Sequence, residues 1–257
     1  MPPHIYVISL ASAQDRRASM RKQLDPLGVP YTLVDAVHGK HTPNHPLFAH
    51  YNDKKRVWRR GAGSSLKPGQ LGCFASHYLL WQQCVEQGLP IIVLEDDAIL
   101  QPNFMAFYNH AEQFADHYGL VWLHPSTKQD QKTGLKLETI GPFNVRKFSK
   151  GFSQAAGYLL TPQAAQALLN YSQEWLYPVD NTMDRFFDHG VESIGLDPVC
   201  IKHDLEFESA INADHTESQR STADRLRREL YSLKDNLARN WHNLRFTLKT
   251  KRRRPLY

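Results

Sequence analysis

Glu95, Asp96 and Asp97 are three consecutive carboxylates that directly follow Ile91, Ile92, Val93 and Leu94. The apolar, mostly β-branched run reads as a buried strand, which sets the acids at its end. No basic residue lies beside them. Adjacent carboxylates repel one another, so such a cluster is costly unless something cationic arrives. A hard divalent metal meets that need, because it takes oxygen ligands and bridges to the oxygens of a phosphate-bearing substrate. The competing reading is an acidic turn after a strand, and the rest of the chain argues against it.

The elements that must carry this cluster read as alternating strands and helices. Ile5–Leu10 is a first buried strand, Gln14–Leu27 a helix ending near Pro26 and Gly28, and Tyr31–Val34 a second strand, a β-α-β opening with a parallel sheet. His38–Gly63 is polar and aperiodic, a long excursion of the kind that is usually functional. Lys67-Pro68-Gly69-Gln70 starts a helix that buries Leu71, Phe74, Ala75, Tyr78 and Trp81 at helical spacing and runs to about Gln87. Pro102–Tyr118 is a further helix, Leu120–Leu123 a strand, and Thr127–Leu137 a polar, hairpin-like stretch. Ala155–Leu160 is a strand entering the helix Ala164–Tyr171, with Thr161 as N-cap and Pro162 behind it. Pro178-Val179-Asp180 opens a helical segment through Phe187, and Ile194–Leu196 and Val199–Lys202 close the core.

The 257 residues suffice for one large or two small domains, and 41% apolar and 22% charged residues are ordinary for a soluble globular chain. No 18-residue apolar run and no signal peptide stand out, which predicts a cytoplasmic protein. Three cysteines, Cys73, Cys84 and Cys200, show no metal-site spacing and read as buried thiols. The net charge of +5 is uneven: twelve Lys/Arg against four Asp/Glu from Glu217 onward make that segment +8 and the body −3. In the same segment Leu226, Leu230, Leu233, Leu237, Trp241, Leu244 and Leu248 form one apolar stripe on an otherwise basic helix, with Lys251-Arg252-Arg253-Arg254 at its end.

Leu66-Lys67-Pro68-Gly69-Gln70-Leu71-Gly72-Cys73-Phe74-Ala75-Ser76-His77, then Trp81 and Val93-Leu94-Glu95-Asp96-Asp97-Ala98, resembles glycosyltransferase family 25. That family contains lipooligosaccharide glycosyltransferases of Gram-negative bacteria, many of them galactosyltransferases, and collagen galactosyltransferase domains. Ile8-Ser9-Leu10 with Arg16-Arg17, Ala36-Val37-His38-Gly39, Ala156-Gly157-Tyr158-Leu159-Leu160, Pro178-Val179-Asp180 and Ser209-Ala210-Ile211 extend the likeness over about residues 4–212. Each motif is weak alone; together they are specific. Two motifs depart from the family pattern. Ser9-Leu10-Ala11 stands for Asn-Leu-Asp, and His38 for the Asp of Ala-Val-Asp-Gly, both close to where the nucleotide is expected.

The resemblance implies a GT-A fold, a Rossmann-like α/β sheet, over residues 1–212, with 213–257 as a basic amphipathic helical extension. It implies inverting transfer of a hexose from a nucleotide sugar, UDP-galactose first and UDP-glucose next, to a lipid-linked oligosaccharide. A Mn²⁺ or Mg²⁺ at the acidic cluster would neutralise charge developing on the diphosphate leaving group. Asp97 is the best direct ligand, Glu95 or Asp96 completes the shell or binds the ribose, and His203 is the candidate third ligand, against a reading as a surface histidine. Inversion also needs a base for the acceptor hydroxyl; Asp180 and Asp184, four apart, would share a helix face. Ser9, Leu10 and Arg17 are expected near the nucleotide. Ser76 and His77 either touch the donor or serve the helix that carries them. Gly72 and Gly157 read as sites of close approach.

The basic tail fits an anionic membrane surface, which sets the expected location at the inner membrane. A second copy of the chain or the catalytic domain could cover the stripe instead, and no nucleic-acid module accompanies it. Two other classes compete with the transferase reading. A catalytically silent sugar-nucleotide-binding assembly protein would explain the altered Ser9, Ala11 and His38. A phosphohydrolase would want carboxylates on several neighbouring strand ends, and only one cluster is present.

Overall fold

The computed structural model describes residues 2–203 and 221–253. Its centre is an eight-stranded mixed sheet flanked on both faces by helices. The chain opens with β1 (His4–Ser9), α1 (Gln14–Leu24) and β2 (Tyr31–Asp35), the parallel unit expected. Next come α2 (Asp53–Arg60), α3 (Pro68–Gln87), β3 (Ile91–Glu95) and β4 (Ala98–Leu100). Two short helices, α4 (Phe104–Asn109) and α5 (Ala111–His117), precede β5 (Leu120–Trp122), the hairpin β6 (Leu135–Ile140) and β7 (Phe143–Lys147), and β8 (Gly157–Leu160). The body ends with α6 (Pro162–Tyr171), α7 (Val179–Met183), α8 (Phe186–His189), β9 (Ile194–Asp197) and β10 (Ile201–His203); α9 (Thr222–Arg253) follows. The sheet order is β2-β1-β3-β8-β5-β9-β7-β6, and β10 pairs with β4 in a separate ribbon.

Strand periodicity explains the two layers. Side chains alternate across a strand. Along β3, Ile91 and Val93 enter a core with α3 and α6, while Ile92 and Leu94 enter a second core with α1, α4 and α5. All four are at most 1% exposed. Such strands read as continuous apolar runs because helices cover both faces.

Several expectations change in the fold. The stretch His38–Gly63 holds a 3₁₀ turn at Pro46–His50 and the helix α2, whose cap is Asn52 accepting the Lys55 N–H at 3.0 Å. The hairpin lies at 135–147 rather than 127–137. The helix expected over Pro102–Tyr118 breaks at His110, where the ring Nδ1 takes the Ala106 carbonyl at 2.8 Å and the backbone N–H turns to Phe107 instead. The segment expected to run helically to Phe187 divides between α7 and α8. The opening is parallel, yet β8 runs antiparallel between β3 and β5, so the sheet is mixed. The proposed boundary at 212/213 and the motif Ser209-Ala210-Ile211 lie outside the described residues.

Close approaches fall where the glycines were expected to matter. A Cβ on Gly72 would collide with the Val37 carbonyl, and one on Gly157 would come within 2.6 Å of Ile201 Cδ1.

Candidate active site

β1, β2, β3 and β5 run in one direction, so Ser9, Asp35, Glu95 and His124, which follows β5 after Leu123, gather at one edge of the sheet. Ligands of open α/β sheets bind beyond such carboxyl ends.

The alternation along β3 continues past Leu94 and turns Glu95 toward α3. There His77 Nε2 lies 3.0 Å from Glu95 Oε1, and the Cys73 thiol donates to the same oxygen at 3.8 Å. His77 Nδ1 is 2.8 Å from the Tyr158 hydroxyl, which also accepts the Trp81 indole N–H at 3.0 Å. One assignment satisfies every group: Nε2–H donates to Glu95, Tyr158 donates to Nδ1, and Trp81 donates to Tyr158. His77 is fully buried beneath Glu95. Burial alone would raise the Glu95 carboxyl, but the hydrogen bond from His77 holds it below its ordinary value. Burial and the Glu95 charge push the Cys73 thiol well up.

Asp96 turns to the other side. Ser9 Oγ donates to its Oδ2 at 2.6 Å and Arg16 to its Oδ1 at 3.2 Å. Arg17 holds the end of β1 by donating to the Ser9 and Leu10 carbonyls at 2.9 and 3.0 Å and pairs with Asp35. Both oxygens of Asp96 are therefore engaged by the protein, and Arg17 clamps the tips of β1 and β2.

Asp97 and His203 meet because β10 pairs with β4 in a register that sets His203 opposite Ala98. His203 Nε2 is 3.5 Å from Asp97 Oδ2. Asp97 Oδ1, His203 Nδ1 and His124 Nε2 are buried atoms without a hydrogen-bond partner. Burial, then the charges of Glu95 and Asp96, raise the Asp97 carboxyl from 3.8 to about 7. Burial lowers His124 to about 4 and keeps its ring neutral. A buried carboxylate under like charges, beside imidazoles with unused nitrogens, fits a divalent cation. The ligand atoms of Cys73, His77 and Glu95 also lie within 4.8 Å of one another. Both nitrogens of His77 are occupied there, so that trio acts as a buttress behind Glu95.

Asp180 and Asp184 both accept backbone N–H groups of the 151–154 loop. Asp184 caps the end of α7, where the helix stops, and is buried. Its Oδ1 accepts the Phe152 N–H at 2.9 Å, and its Oδ2 meets Lys128 at 2.6 Å and Arg239 at 3.3 Å. A Cβ on Gly151, whose φ is +73°, would collide with that carboxyl. Every polar atom of Asp184 is committed to fixing the 151–154 loop, which corrects its expected role as a base. Asp180 accepts the Gln154 N–H at 3.1 Å and lies near enough to Cys73 and His124 to shift both. Gln154 sits at φ +67°, a conformation that costs energy for a residue with a side chain.

Ser76 also takes another role. It donates to Gly72 O and accepts the Val37 N–H, both at 2.8 Å, and so joins α3 to the Val37–Gly39 segment rather than facing a donor. His77 likewise supports Glu95 from below. Sequence reasoning missed His124 and Gln154. His124 carried a usable signal, a histidine just past a buried strand; Gln154 carried none.

The site is thus a carboxylate and imidazole cluster at the carboxyl edge of a mixed, parallel-rich α/β sheet. The profile of "Glycosyltransferase family 25 (LPS biosynthesis protein)" matches residues 2–183. The chain belongs to glycosyltransferase family 25. It is 29% identical over 216 residues to the lipooligosaccharide biosynthesis protein lic2B of Haemophilus influenzae, covering 77% of this chain and 75% of that one. It is 30% identical over 227 residues to the lacto-N-neotetraose biosynthesis glycosyltransferase LgtB of Neisseria meningitidis, covering 79% and 76%. Procollagen galactosyltransferase 1-A of Xenopus laevis is 28% identical over 192 residues, 72% of this chain and 31% of that longer protein.

Proposed function

We propose that this protein is an inverting, metal-assisted hexosyltransferase that moves galactose from UDP-galactose onto a lipid-linked oligosaccharide of the lipooligosaccharide type, on a GT-A fold. The single observation that carries the reading is the unpartnered Asp97 Oδ1 and His203 Nδ1 buried beside Glu95. The names of the bacterial relatives support an oligosaccharide acceptor, and the procollagen relative supports galactose. UDP-glucose is the nearest other donor.

Asp97 and His203, with Glu95, would hold Mn²⁺ or Mg²⁺. When bound, that ion supplies positive charge where the diphosphate leaving group becomes more negative. Ser9 and Arg16 orient Asp96, and Arg17 fixes the Ser9–Leu10 turn against which the nucleotide lies. The acceptor hydroxyl oxygen attacks the anomeric carbon from the face opposite UDP, the bond to the diphosphate oxygen breaks, and UDP leaves with that electron pair. The hydroxyl proton passes to the Asp180 carboxylate, held in place by the Gln154 N–H. The enzyme works on the cytoplasmic side of the inner membrane. No helix among the described residues is long and apolar enough to cross a membrane, so attachment there is peripheral in this reading.

A panel of UDP-sugars with Mn²⁺, Mg²⁺ or EDTA, scored for UDP release with and without a lactose-type acceptor, tests the reading. Metal-dependent release from UDP-galactose, lost in Asp97→Ala, is the expected result. UDP binding by calorimetry without release from any sugar would instead favour the silent sugar-nucleotide-binding protein.

A further inference from the structure

The helix α9 is docked the opposite way round from an ordinary amphipathic helix. Its polar face holds the body: Asp235 takes two hydrogen bonds from Arg185, both 2.7 Å, and Arg239 pairs with Asp184. His242 meets Glu192 at 2.7 Å, and Arg227 stacks on Trp58 at 3.9 Å. The apolar stripe is left facing outward. Leu226, Leu230, Leu233, Leu237, Trp241, Leu244 and Leu248 are each between 51% and 65% exposed. Their spacing repeats after eleven residues, from Leu226 to Leu237 to Leu248. At about 100° per residue the seven side chains stay within an arc of about 80° along a straight helix.

Cations border this stripe on both sides. Lys234 and Arg245, both exposed, lie at about 60–80° from its centre on one side. On the other side Asn236 and Asn240 open onto a recess of ≈ 460 Å³ lined by Lys128, Lys150 and Arg239. The helix as a whole carries ten Lys/Arg against three Asp/Glu.

We infer that α9 and this recess form a fixed membrane seat, in which the stripe enters the hydrocarbon boundary of an anionic bilayer and the recess receives a phospholipid phosphate. Charge selects the occupant. A second copy would bring two strongly cationic helices together, whereas an anionic lipid surface neutralises one. A seven-residue period continued from Leu226, Leu230, Leu233 and Leu237 would put Asn240 and Thr247 in the seam, whereas the eleven-residue repeat carries Trp241 and Leu248, which disfavours a left-handed coiled coil. Because the polar face stays docked, the seat is rigid, and Arg239 and Asp184 link it to the 151–154 loop that positions Asp180. The expectation of membrane attachment thereby gains a defined surface: the docked α9 stripe and a lysine recess contributed by the body.

The test is co-sedimentation of the full chain with vesicles of phosphatidylglycerol and phosphatidylethanolamine, and with phosphatidylcholine alone. UDP release in the presence of a soluble acceptor, measured on the same preparations, reads the transferase proposal separately. The wild type should sediment with the anionic vesicles only. Leu233→Ser/Leu237→Ser/Leu244→Ser should lower that partition at least about tenfold, and Lys150→Glu about fivefold or more, each with an unchanged melting temperature. Wild-type protein left in the supernatant with both vesicles would overturn the inference, as would serine variants that bind like the wild type. A dimer in sedimentation equilibrium that the triple variant dissociates, without vesicle binding, would assign the stripe to a second copy and also overturn it.

Discussion

Replacing Asp97 by Asn should stabilise the metal-free protein while abolishing its function. In the folded protein the carboxyl is raised from 3.8 to about 7 by burial and by Glu95 and Asp96. An acid whose folded pKa is raised costs nothing below its unfolded value, costs progressively more between the two, and costs the full amount above the folded value. A rise from 3.8 to about 7 corresponds to about 4 kcal/mol at pH 8. Water reaching the cluster and proton sharing with its neighbours relieve part of this, leaving about 2 kcal/mol. The amide of Asn keeps the size and removes the charge. In EDTA at pH 8, Asp97→Asn should therefore melt roughly 4–8 °C above the wild type. The gap should close as the pH falls below 3.8, where the wild-type carboxyl becomes protonated in both states. Adding Mn²⁺ at pH 8 should raise the wild-type melting temperature and leave the variant nearly unmoved, because the variant lacks the charged ligand. Calorimetric melts over this pH range, with EDTA and with Mn²⁺, measure all three effects. A variant that melts below the wild type in EDTA at pH 8, or a gap independent of pH, would refute the electrostatic reasoning.

Three further substitutions separate support from chemistry. His77→Phe leaves Glu95 and Tyr158 facing an apolar ring, so urea titration should show a loss of about 2–4 kcal/mol, alongside a weaker metal response. Asp180→Asn retains an acceptor for the Gln154 N–H and should fold normally, with kcat at least about 100-fold lower and donor KM little changed. Asp184→Ala strips the acceptor from the Phe152 N–H and the partner from Lys128, and should cost about 2–3 kcal/mol of stability. If Asp180→Asn keeps wild-type kcat, another group takes the acceptor proton.

Much of the candidate site is legible in the chain. Four apolar residues followed by three acids define β3 and its tip, because a strand buried on both faces needs a continuous apolar run. The helical stripe from Leu71 to Trp81 likewise defines α3 and places Cys73, His77 and Trp81 on one face. The leucines at steps of three and four define α9. Local spacing reaches no further than one element, and the remaining decisions depend on what other elements bring. Whether His77 meets a donor or supports Glu95 depended on β8 carrying Tyr158 to the far side of its ring. Asp184 differs from Asp180 because other parts of the chain bring Lys128 and Arg239 to its carboxylate. His203 reached Asp97 only through the pairing of β10 with β4. The sequence by itself determined that α9 has an apolar stripe and a charged face. Tertiary structure decided which face docks, because Arg185, Asp184 and Glu192 offer the helix ion pairs rather than an apolar groove, and the leucines are left outside.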